Sequence, residues 1–243
     1  MLIEKYKEHL NENTGLSENT VSSYQYDIEG FLSYCQNDEK QAMTKEMITA
    51  YIIHLKNSGR SMSTVLRFVS AVKNFSKYLE NSGMIDFNPC IDIAIPKYER
   101  KQSESRLTVG EIALLLGSVK KESLKGMRDY AMICLVASSG IRASEITELD
   151  IGNFNNRDML IEVTKNGCKQ FHPLSEEVFC AIDKYVRNCR PLIVSDDESA
   201  LFVNTNGKRM TRQGFWKIIR RYKEKTSIKS SVTPRTIRYS MPG

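Results

Sequence analysis

A chain of 243 residues, 41% hydrophobic and 26% charged, has an ordinary globular make-up and length for two modest domains. No apolar run approaches the roughly 20 residues of a membrane span, and the opening MLIEKYKEHLNENTG turns polar too soon for a signal peptide. The net charge of +6 is mild but uneven, because residues 208–238 hold eleven basic side chains against one acid, Glu224. Lys208, Arg209 and Arg212 open that block, which suits a polyanionic partner, most simply nucleic acid. A solvated basic face is the plainer alternative.

The first part of the chain reads as helices. SENTVSSYQYDIEGFLSYCQ sets Val21, Tyr24, Ile28, Phe31, Leu32 and Cys35 at helical spacing. TKEMITAYIIHLKNSG repeats the pattern with Met47, Ile48, Tyr51, Ile52 and Leu55, and Gly59 serves as a stop. SMSTVLRFVSAVKNFSKYLENSG carries an apolar stripe from Val65 to Leu79. Its other face bears Arg60, Ser63, Arg67, Ser70, Asn74 and Lys77. That face suits a helix laid against DNA, with cations on phosphates and Asn74 on a base edge. It also suits an ordinary amphipathic surface helix.

The helical period fades over residues 84–106, which contain Pro89 and Pro96. The expected organisation is a helical domain over residues 1–92, a linker over 93–106 and a second domain over 107–243. Thr108 and Glu111 have capping-box spacing, with Leu107 placed to staple onto Ile112. MRDYAMICLVASSG is apolar nearly all round from Ala131 to Ala137, so it should be a buried helix. A short helix follows in IRASEITELD. A hairpin is then expected from strands at residues 159–163 and 169–174 around Asn166-Gly167, a dipeptide that favours a type I′ turn. A helix from Ser175 to about Asn188, a short strand in SALFVN and a basic helix capped by Thr211 complete the pattern. Finally, Thr233-Pro234 reads as a helix start that sets Arg235 and Arg238 on one face.

Six cysteines without C-x-x-C spacing read as reduced core thiols of a cytoplasmic protein. Three scattered histidines argue against zinc, and no metal or cofactor is expected. His172, before Pro173, reads as a strand residue. What packing does not explain is a set of cations: Arg142 after Gly140, Lys165 at the hairpin tip, and Arg235 with Arg238. Brought together they suit a phosphodiester in a five-coordinate transition state. Guanidinium forks hold the non-bridging oxygens and a lysine protonates the leaving oxygen. Nothing resembles a phosphate-cradling G-x-x-x-x-G-K-[ST] loop. A metal-dependent nuclease is set aside for want of paired carboxylates at metal-ligand spacing.

These boxes, in this order, resemble those of the tyrosine recombinases of the phage-integrase and Xer type. SSGIRASEITEL is similar to the first arginine box, VTKNGCKQFHPL to the hairpin box that brings a lysine, and TPRTIRYS to the H-x-L-R-H box. NTVSSYQYDIEGFLSYC and LRFVSAVKNFSKYLENSGMIDFNPC resemble the family's helical core-binding domain. The resemblance implies a mainly α fold, with a SAM-like helical domain ahead of an α+β catalytic domain that holds a small β-hairpin or sheet. It implies site-specific cutting and rejoining of double-stranded DNA through a 3′-phosphotyrosine. Arg142 and Arg238 would clamp the phosphate, Lys165 would act as general acid, and Glu145 would support the basic groups.

Two positions depart from the family pattern: Arg235 stands where histidine is usual, and Tyr239 where the box often ends in histidine. An arginine cannot shuttle protons near neutral pH. The family's nucleophilic tyrosine falls some thirty residues past Arg238, beyond residue 243. The expectation is therefore a recombinase without its nucleophile in this chain, or a non-catalytic remnant that occupies recombination sites. Full-length relatives would assemble as tetramers on DNA, with this chain a monomer, and without a membrane.

Overall fold

The computed structural model describes residues 2–13, 15–36, 42–93, 106–165, 167–238 and 240. It divides into two compact units, Met1–Arg100 and Lys101–Gly243. The expected linker lies, apart from Ile93 and Arg106, outside the described residues.

The first unit holds helices α1 (Leu2–Asn13), α2 (Glu18–Tyr34), α3 (Lys45–Asn57) and α4 (Met62–Asn81). Three of them begin where a hydroxyl can satisfy an open backbone amide. Ser17 accepts from the amide of Thr20, Thr44 from Met47, and Ser61 from Thr64. The anticipated stripes meet in one core. Ile28, Phe31, Ile48, Val65, Phe68 and Phe75 are all buried, and α1 adds Tyr6 and Leu10. Sequence reading did not single out α1, whose apolar face is narrow. Two polar contacts tie the helices together. Asp27, buried on α2, receives both arms of the Arg67 fork at 2.7 and 2.8 Å. The Tyr6 hydroxyl donates to Asn74 Oδ1 at 2.7 Å.

The second unit is built around α6 (Leu124–Ser139). Every residue from Ala131 to Ala137 is buried there, which is why that stretch is apolar on all sides. Around it stand α5 (Val109–Gly117), α7 (Ala143–Glu148), α8 (Glu176–Asn188), α9 (Arg190–Ile193), α10 (Arg212–Lys223) and α11 (Pro234–Arg238). The Thr108–Glu111 capping box is formed in full. A three-stranded antiparallel sheet runs in the order β1 (Phe154–Asn155), β2 (Leu160–Lys165), β3 (Cys168–Pro173). The β2–β3 register runs from Leu160 opposite Pro173 to Lys165 opposite Cys168. Gly167 adopts a φ of 77°, as a tight hairpin turn requires, while Asn166 lies outside the described residues.

Three expectations need correction. β1 joins the sheet, although two residues are too few to show a period in sequence. SALFVN forms no regular strand; it makes two isolated bridges, Asp150 to Ala200 and Val203 to Arg209. Its residues Ala200–Val203 are apolar because they are buried. Of the six cysteines, Cys35, Cys90, Cys134 and Cys189 are buried, but Cys168 and Cys180 are exposed. The exposed pair lies on β3 and α8.

Candidate functional site

An open cleft of about 1180 Å³ lies in the second unit. It is lined by Arg142, Ala143 and Ser144 at the start of α7, by Thr211, Arg212, Gln213, Trp216 and Lys217 of α10, and by Thr233, Pro234, Arg235 and Arg238 of α11. Among the described residues, its lining carries five cationic side chains and no carboxylate.

Each wall has a local cause. α6 ends on Gly140 in the left-handed conformation, at a φ of 65°. That turn redirects the chain, and buried Ile141 anchors it, so that Arg142 emerges exposed. Glu145 then fastens Arg142 twice, accepting its backbone amide at 2.6 Å and its Nη1 at 3.3 Å. The α10 wall starts from the Thr211 cap, and Phe215, Ile218, Ile219 and Tyr222 bury the opposite face. α11 starts at Pro234, preset for the first helical position. Thr233 Oγ1 accepts from the Thr236 amide at 3.1 Å, while the Thr233 amide donates back to Thr236 Oγ1 at 2.8 Å.

Outside the cleft lining, α6 and α10 are joined through Asp129, whose side chain is fully buried. It accepts from Arg128 at 2.7 and 3.0 Å, from Arg221 Nη2 at 2.5 Å and from the Tyr222 hydroxyl at 3.0 Å. Burial first, and then this carboxylate, push the Tyr222 hydroxyl pKa above its ordinary value.

Arg142, Arg235 and Arg238, candidates from distant parts of the sequence, thus share one cleft with Arg212. Lys165 closes β2 and is not among the lining residues. Lys208 is exposed beside the cleft-bearing α10. Arg209 is occupied within the fold. Its guanidinium donates to the carbonyls of Thr147 and Leu149 at 3.1 Å each and pairs with Asp150. Arg209 first, and Ser199 second, hold the Asp150 carboxyl below its ordinary range. In the first unit Arg60, Ser63, Ser70 and Lys77 are exposed, whereas Arg67 is held by Asp27 and Asn74 by Tyr6. Sequence reading overlooked Gln213, Trp216 and Lys217 as lining. The signal was available: Trp216 lies four residues beyond Arg212, and Trp216 and Lys217 lie three and four beyond Gln213 on one helix.

The model of the phage integrase family matches residues 105–241, and that of the phage integrase N-terminal SAM-like domain matches residues 3–83. A chain of Caldanaerobacter subterraneus named for the tyrosine recombinases is 35% identical over 241 residues, covering 98% of this chain and 82% of its own length. Tyrosine recombinase XerD of Oceanobacillus iheyensis is 31% identical over 245 residues, with the same coverage of both chains. In fold, the chain is similar to the Tn1549 transposon integrase solved in complex with a circular intermediate DNA. The TM-score is 0.75 at 16% identity, over 99% of this chain and 85% of that one. The chain therefore belongs to the phage integrase family of tyrosine recombinases and has their mainly helical, two-part fold.

Proposed function

We propose that the cleft of the second unit holds a phosphodiester of duplex DNA during site-specific strand cutting and rejoining. The observation that carries this reading is the meeting of Arg142, Arg235 and Arg238 with Arg212 and Lys217, with no carboxylate in the described lining. Guanidinium forks match the non-bridging oxygens of a phosphate, and their charge gains most where negative charge grows in the transition state. Arg142 and Arg238 clamp those oxygens, while Glu145 holds Arg142 in place. Arg235 adds charge where relatives usually carry histidine, and it binds phosphate without moving a proton.

In the reaction a tyrosine hydroxyl gives up its proton to solvent and attacks phosphorus, and a new O–P bond forms. The bond from phosphorus to the 5′ oxygen breaks, and that oxygen leaves with a proton from Lys165. The products are a 3′-phosphotyrosine and a free 5′ hydroxyl. Attack by a 5′ hydroxyl of a partner strand reverses these steps, so the energy of the broken bond is retained. The family's spacing puts the attacking tyrosine in its third box, about thirty residues past Arg238. Lys165 stands on the hairpin outside the lining, so this reading requires β2–β3 to approach the cleft when DNA is bound.

The test is covalent trapping on nicked duplex by a chain that carries the third box. Arg142→Ala and Arg238→Ala should each abolish the trapped adduct. Adduct at the parent's level in both variants overturns the assignment.

A further inference from the structure

Two hydrogen bonds fasten the residues flanking α11 to the start of α5, and neither belongs to the cleft itself. The Ser230 hydroxyl donates to Glu111 Oε1 at 2.7 Å. The Leu107 amide donates to Ser240 Oγ at 2.5 Å, and Ser240 in turn donates to the Thr236 carbonyl at 2.6 Å. The segment from Ser230 to Ser240 is thus gripped near both ends by residues 107–111, and Arg235 and Arg238 lie between the two grips.

Glu111 divides its carboxylate between two tasks. Oε2 accepts from the amide and hydroxyl of Thr108 at 2.9 and 3.1 Å and completes the helix cap. Oε1 is left for Ser230. An ordinary capping glutamate needs only the first. These bonds, the Thr108 amide foremost and Ser230 next, hold the Glu111 carboxyl below its ordinary range. The apolar contacts of the segment, through buried Val232 and Ile237, fix its depth in the core. Apolar packing is non-directional and does not fix rotation about the segment axis. Hydrogen bonds at its ends do, and rotation decides where two guanidinium groups point.

We infer that Glu111, acting through Ser230, is a positioning residue that sets the Arg235–Arg238 face of α11 toward the DNA phosphate. This inference rests on the phosphate-binding reading of the cleft and adds a residue that touches no DNA.

The test is a double-mutant cycle on residues 1–243, read as affinity for a fluorescently labelled duplex across a salt series. Arg238→Ala should weaken binding and reduce the salt slope by about one. Ser230→Ala, which leaves the α5 cap intact, should weaken binding about fivefold, the worth of one hydrogen bond. Its effect should shrink in the Arg238→Ala background and vanish when Arg235→Ala is added to it. Thr108→Ala, which loosens the cap but not the Ser230 bond, should lower the melting temperature with the salt slope unchanged. Should Ser230→Ala bind like the parent while Arg238→Ala binds weakly, the positioning role is overturned and the phosphate reading stands. Should Arg238→Ala itself bind like the parent, the phosphate reading fails, and this inference fails with it.

Discussion

Asp129 shows how much one side chain carries in this protein. It is a fully buried carboxylate that receives two guanidinium groups and a phenol, from both α6 and α10. Removing one member of a buried ion pair leaves the other charge desolvated, at a cost of about 3–5 kcal/mol. Asp129→Ala should therefore lower unfolding stability by about that amount in urea titration, chiefly through Arg128, which is 5% exposed. Exposed pairs such as Arg220–Glu224 should contribute less than about 1 kcal/mol.

Three other carboxylates link stability to pH. Asp150, Glu198 and Glu111 all have folded pKa values below their ordinary 3.8, 4.5 and 4.5. For Asp150 the main cause is Arg209, and for Glu198 the amide of Ala200. A depressed carboxyl stabilises the fold above its unfolded value, and that contribution is lost as pH falls through the folded value. Urea midpoints should hold down to pH 4.5 and fall below it. Arg209→Gln should start from a lower midpoint and fall less steeply, because the larger part of the Asp150 contribution is already gone and only the Ser199 bond remains.

At the scale of elements, the cleft depends on where three helices begin. Arg142 emerges only because α6 stops on a residue in the left-handed conformation. A side chain on residue 140 meets no atom within 4 Å, so the obstacle there is backbone conformation and not space. Gly140→Ala should cost about 1–2 kcal/mol in stability. If the helix instead runs on by a residue, Arg142 swings off the cleft and duplex affinity falls with it. A stability loss with unchanged affinity would show that Arg142 does not depend on that turn. α10 is tied to α6 by Asp129, and the residues flanking α11 are tied to the start of α5 by Ser230 and Ser240, so both walls are set by contacts outside the cleft lining.

For the whole molecule the governing quantity is charge distribution. A net charge of +6 is too small to explain strong attraction to a polyanion, but five cations converge on the cleft. Phosphate contacts displace condensed counterions, so duplex affinity should fall linearly with salt on logarithmic axes, by about 0.9 per contact. Five contacts at the cleft alone would give a slope near −4.5, on the order of a 500-fold loss between about 50 and 200 mM salt. An affinity indifferent to salt would remove DNA phosphate as the partner.

Sequence alone determined the helical periods, the caps at Thr108, Thr211 and Thr233, the buried run 131–137 and the hairpin about Gly167. Those features are local: each depends on residues a few positions apart, and a spacing rule detects it. Sequence order also disclosed the boxes around Arg142, Lys165 and Arg238, and with them the family. Tertiary structure alone decided which cations line the cleft and which are tied to carboxylates distant in sequence. Arg67 and Arg209 look like Arg142 in sequence, yet Asp27 and Asp150 lie 40 and 59 residues away from them. Likewise nothing in LTVGEI shows that Glu111 reaches Ser230, 119 residues on. A charged side chain takes its role from the group it meets, and over such separations the folded chain selects that group.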